Sequence, residues 1–129
     1  MNTHLESLQG HWDVTSLEVD GTAFPVAGAR IIIEDDRFIS LAMGSAYGGT
    51  VTADSSTNPK TFSLHFTEGP ETGNTNHGIY ELDGDTWKIC LNINGGPAPA
   101  AFATSPGSGN ALETLHRAGP ASQSKTPKE

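Results

Sequence analysis

The sequence has 129 residues, 35% hydrophobic and 17% charged, enough for one domain around one core and too weakly charged for a disordered polyelectrolyte. Its net charge of −8 leaves only seven Lys and Arg residues, and two of these, Lys125 and Lys128, lie at the C-terminal end. No basic cluster remains to hold a phosphate backbone or an anionic lipid surface, so neither nucleic acid nor a membrane is an expected partner.

Residues 1–10 read as a lead-in turn or short helix, without the basic and apolar stretches of a secretory leader. A single cysteine, Cys90, allows no internal disulfide, and both points lead to the expectation of a cytoplasmic protein. Strand-type runs follow at 11–19, 29–34, 37–43, 46–53, 60–67, 76–82, 86–93 and 111–117. Turn signals punctuate them: Asp20-Gly21, Glu34-Asp35-Asp36, Gly44-Ser45, Asp54 to Pro59, Glu68-Gly69-Pro70 and Asp83-Gly84. Residues 118–129 are small, polar and proline-containing, and read as a disordered tail. The pattern predicts an all-β domain over 11–117, an antiparallel up-and-down barrel of about eight strands, with a two-sheet sandwich as the competing architecture.

Alternation assigns faces within these runs. Phe62, Leu64 and Phe66 share one face; Trp87, Ile89, Leu91 and Ile93 share another, opposite Lys88, Cys90 and Asn92; Tyr80 and Leu82 oppose Ile79 and Glu81. The run 11–19 is ambiguous, because Trp12 and Val14 fall on one face and Leu17 and Val19 on the other. A bulge accounts for this, or an apolar outer patch that supports a homodimer.

Leu8-Gln9-Gly10-His11-Trp12, leading into a strand, resembles the Gly-x-Trp opening of lipocalins and other calycins. The segment Gly69 to Leu91, with Thr75-Asn76-His77-Gly78-Ile79-Tyr80-Glu81-Leu82-Asp83-Gly84 at its centre, resembles an uncharacterised bacterial lipocalin-like domain family first catalogued from planctomycetes. Ser105-Pro106-Gly107-Ser108-Gly109 followed by Leu112, Leu115 and Arg117 resembles that family's closing strand. The resemblance spans about Leu8 to Arg117 and implies a calycin-type barrel without implying an activity. It departs from the family where an Arg-Pro-Thr-x-Phe element is expected, since Ala98-Pro99-Ala100-Ala101-Phe102 stands there.

Local motifs for chemistry are weak. His11, His65 and His77 have no second ligand at metal-binding spacing, so no metal is expected. Glu81-Leu82-Asp83-Gly84-Asp85 lacks the spaced ligands of a calcium loop and is explained by a hairpin turn. Cys90 has only Lys88 beside it as an activating neighbour and reads as structural. Gly48 and Gly49 inside a strand mark barrel curvature or close approach of a ligand. The loop 68–76, with Glu71, Asn74, Asn76 and the adjoining His77, is placed at a barrel mouth, and the segment 94–110 is read as a lid.

Two functional readings result. The first is a binding module for a small apolar or amphipathic ligand, lined by Trp12, Phe38, Tyr47, Phe66, Tyr80 and Trp87, with Arg30 as a charge partner. The alternative is a cofactor-free enzyme (an isomerase, cyclase, lyase or dehydratase) using Tyr80, His77, His65 and Glu81 for acid/base work inside the barrel. Neither reading calls for a cofactor.

Overall fold

A computed structural model describes residues 3–42 and 44–119, with the side chains of Thr3, His4 and Gly119 left aside. A short 3₁₀ helix, Thr3–Leu8, precedes nine strands: β1 Gly10–Val19, β2 Thr22–Ala23, β3 Arg30–Glu34, β4 Arg37–Ala42, β5 Ser45–Asp54, β6 Lys60–Glu68, β7 Thr75–Asp83, β8 Thr86–Asn92 and β9 Asn110–Gly119. Strands β1, β3, β4, β5, β6, β7, β8 and β9 pair in that order, all antiparallel, and β9 pairs back onto β1. The result is a closed eight-stranded barrel of lipocalin-like architecture; β2 is a two-residue addition to β1 alone. All eight predicted runs are barrel strands. Ala118 and Gly119, assigned to the tail from sequence, continue β9, and the remainder of that predicted tail lies outside the described residues.

Local chemistry explains the hairpins. Val19 pairs with Thr22 across Asp20 (φ 51°) and Gly21 (φ 82°), the two left-handed residues of a type I′ turn. Asp83 pairs with Thr86, so the β7–β8 turn is centred on Gly84-Asp85, one residue beyond the dipeptide read from sequence.

The ambiguity of β1 resolves as a bulge. The β1–β9 register shifts between Val14 and Ser16, leaving Thr15 as the extra residue. One extra residue inverts the face of everything after it. Trp12, Val14, Leu17 and Val19 therefore all point inward, and the outer apolar patch that suggested a homodimer contact through Leu17 and Val19 does not form.

The barrel tapers to a closed end. Trp12, Trp87, Phe62, Tyr80 and Phe38 fill it, all buried, with Trp12 and Trp87 at 5.2 Å and Phe62 and Tyr80 edge-to-face at 5.7 Å. Leu5 and Leu8 of the 3₁₀ helix plug the opening, each fully buried side chain contributing about 2 kcal/mol. Polar clamps hold the plug in place. Trp12 Nε1 donates to the Leu8 carbonyl (2.9 Å), and the Gln9 amide exchanges hydrogen bonds with the Asp35 backbone (2.7 and 2.9 Å). Arg117 stacks on Trp12 at 4.2 Å, donates to the carbonyls of Gln9 (2.7 Å) and Ser7 (2.9 Å), and pairs with Asp85 (3.0 Å).

The segment between β8 and β9 corrects the lid expectation. It leaves and returns at the open end but runs down the outer wall. The Cys90 thiol donates to the Ala103 carbonyl (3.5 Å), Lys88 Nζ lies 5.6 Å from the Phe102 ring, and Thr104 accepts from the Gly21 amide (2.9 Å). Cys90 and Ile79 are accordingly buried outside the barrel core. No helix among the described residues is long and apolar enough to cross a membrane.

Candidate functional site

Above the aromatic plug the inward side chains shrink, and a cavity of about 250 Å³ opens toward the mouth. Its wall combines Leu17, Val19, Ile31, Leu64, Phe66, Leu91 and Ile93 with the small residues Ser40, Ala42 and Ala111, and Tyr47 completes it. Alternation, with the β1 bulge for Leu17 and Val19, delivers the strand residues inward, Ile93 borders the space from just beyond β8, and the low side-chain volume of the serine and alanine positions leaves the space. On size alone such a cavity holds more than a single benzene ring, which a pocket of about 150 Å³ accommodates.

Three further polar side chains enter this apolar space. Glu113 stands inward on β9 between Ala111 and Leu115, opposite Leu17 of β1 and Ile89 of β8. The residue is half-buried and lines the cavity. Loss of hydration disfavours the carboxylate, and its pKa is pushed up to about 7. Asn76 on β7 is 6% exposed, and its Oδ1 is buried without a hydrogen-bond partner. Glu71, from the β6–β7 loop, reaches the mouth, where it accepts from Asn74 Nδ2 (2.6 Å). Among the described residues no Lys, Arg or His lines the cavity.

A larger depression of about 660 Å³ lies outside the barrel, beside the 3₁₀ helix and bordered by Glu6, Asp35, Asp36 and Thr50 to Thr52. Among the described residues that border it there is no buried polar atom lacking a partner. The interior cavity is the better candidate because its walls are mainly apolar and they include Asn76, whose Oδ1 is buried without a partner.

The sequence-predicted residues divide sharply. Tyr47 and Phe66 line the cavity, their rings 6.0 Å apart, and Phe38 supports Phe66 from behind at 5.2 Å. Trp12, Tyr80 and Trp87 belong to the packed closed end, not to the cavity wall. Arg30 lies on the outer face, paired with Asp13 at 3.3 Å. The acid/base candidates are not brought together. His77 bonds Ser63 (2.7 Å) and His65 bonds Thr75 (2.9 Å) on the outer wall, Glu81 is exposed there, and only Tyr80 points inward. Burial raises the Tyr80 phenol further above its ordinary value, with Asp54 adding to the shift, which leaves it a poor proton acceptor. Among the described residues no group of three or more His, Cys, Asp and Glu is placed to hold a metal.

Gly49 marks a close approach of two backbones: a Cβ there would lie 1.9 Å from the His65 carbonyl oxygen. Barrel curvature at the β5–β6 irregularity is the reason for that glycine. Glu113 went unread because Leu112 and Leu115 fall on opposite faces of one short run; the available signal was the alternation Ala111, Glu113, Leu115, Arg117. Asn76 was read from sequence both as the end of the polar loop 68–76 and as the first residue of the run 76–82; it sits in β7. No family model, no curated protein and no solved structure matches this chain.

Proposed function

We propose that the barrel binds a small, largely apolar molecule in the cavity between the aromatic plug and the mouth. The observation that carries this reading is the apolar space of about 250 Å³ inside the barrel, with a buried, unpartnered Asn76 Oδ1. A packed core leaves no such volume, and a buried acceptor without a partner costs roughly 1–3 kcal/mol unless water or a ligand satisfies it.

The test is amide-resolved NMR titration with 2-phenylethanol, whose roughly nine heavy atoms suit the volume. At about −0.5 kcal/mol per atom, within the range for small ligands, the expected Kd is about 5 × 10⁻⁴ M. Shifts should concentrate at Leu17, Ser40, Tyr47, Leu91 and Ala111. Ala111→Phe and Ala42→Phe, which fill the cavity from different strands, should each abolish them while the fold is retained. Shifts confined to the outer wall, or surviving both substitutions, refute the proposal.

A further inference from the structure

The ionisable carboxyls of the cavity are Glu113 and Glu71, beside the hydroxyls of Ser40 and Tyr47. Asn76 presents an unpartnered Oδ1, and among the described residues no cationic side chain lines the wall. A ligand carboxylate or phosphate would meet two acidic groups and no counter-charge. A purely apolar ligand would leave both Asn76 Oδ1 and the Glu113 carboxyl without partners. A ligand cation with N–H donors satisfies these groups with the right sign.

Resting on the reading of the barrel as a binding cavity, we propose that its ligand is a small aryl- or alkylamine, with the ammonium paired to Glu113 and the apolar remainder held by Leu17, Ile31, Leu64, Phe66 and Leu91. Asn76 Oδ1 is a second acceptor for a donor on the same ligand. Pairing in a site of low polarity is much stronger than on the surface, because competing water is excluded. The volume limits the ligand to about one ring and a short chain.

Ionisation and binding are then linked. With its pKa near 7, Glu113 holds a proton in mildly acidic solution and must release it to receive an ammonium. The other titratable groups facing the cavity are Glu71 and Tyr47; the residues flanking Glu113 on β8 and β1, Ile89 and Leu17, are apolar. Amine affinity should therefore rise about thirtyfold from pH 5.5 to pH 8, with proton release at the lower pH.

The experiment compares 2-phenylethylamine, 2-phenylethanol and phenylacetate by calorimetry at pH 8, with cavity amides followed by NMR. The amine should bind at least tenfold more tightly than the alcohol, and phenylacetate should not bind. Glu113→Gln should bring the amine-to-alcohol ratio close to one, whereas Glu113→Asp, which retains the charge, should preserve a preference. Equal binding of amine and alcohol by the native protein, or a preference unchanged in Glu113→Gln, overturns the amine assignment and leaves the cavity reading standing. Absence of cavity shifts with both amine and alcohol overturns the binding reading, and the amine proposal with it.

Discussion

Replacing Glu113 by Gln should stabilise the protein, by an amount that depends on pH. In the unfolded chain this carboxyl titrates near 4.5, and in the barrel near 7. Below pH 4.5 both states hold the proton, and the group adds no pH-dependent term. Between 4.5 and 7 the unfolded chain has released its proton while the folded chain retains it, so stability falls as pH rises. Above 7 both are ionised and the deficit is constant. At about 1.4 kcal/mol per pH unit the full deficit is about 3 kcal/mol, of the order of 10 °C in Tm for a domain of this size. Thermal unfolding of native and Glu113→Gln proteins, followed by circular dichroism from pH 4 to pH 8.5, reads this directly. The variant's advantage should be small at pH 4, grow through pH 5–7 and then level off. A difference that is flat with pH would refute the placement of Glu113 in an apolar cavity.

The closed end and the turns provide two further tests. Arg117→Lys loses the planar stack on Trp12 and cannot serve the Gln9 and Ser7 carbonyls together, so the urea midpoint should fall by the equivalent of about 2 kcal/mol with an unchanged slope. A loss below 0.5 kcal/mol, the order of an exposed ion pair, means that the clamp does not secure the plug. Gly49→Ala and Gly84→Ala should separate widely. The first places a Cβ against the His65 carbonyl and should cost at least ~3 kcal/mol, whereas the second meets nothing within 4 Å and pays only for its φ of 60°, about 1 kcal/mol. Equal losses in urea denaturation would contradict the β5–β6 contact.

The strands and their hairpins were legible in the sequence because both signals are local. Period-2 alternation of Phe62-Leu64-Phe66 and Trp87-Ile89-Leu91 needs no distant partner, and Asp20-Gly21 supplies two left-handed residues by its own chemistry. What the tertiary structure decided is parity and enclosure. One extra residue, Thr15, turns Leu17 and Val19 from an apparent outer patch into the cavity wall, and only the pairing of β1 with β9 reveals it. The same closure encloses Glu113, whose burial depends on β8, β1 and the opposite wall together. Histidines that share strands with core residues face outward because a barrel wall has two sides, and sequence alternation alone does not say which side holds the core. The path of 94–109 along the outer wall is likewise set by contacts with Cys90, Lys88 and Gly21, residues remote in sequence from much of the segment. The sequence by itself determined an all-β chain of about eight strands, with a barrel favoured over a sandwich; the pairing of β9 with β1 decided the barrel and the acidic, apolar cavity in its upper half, because side-chain volume and charge there are summed over strands that meet only in three dimensions.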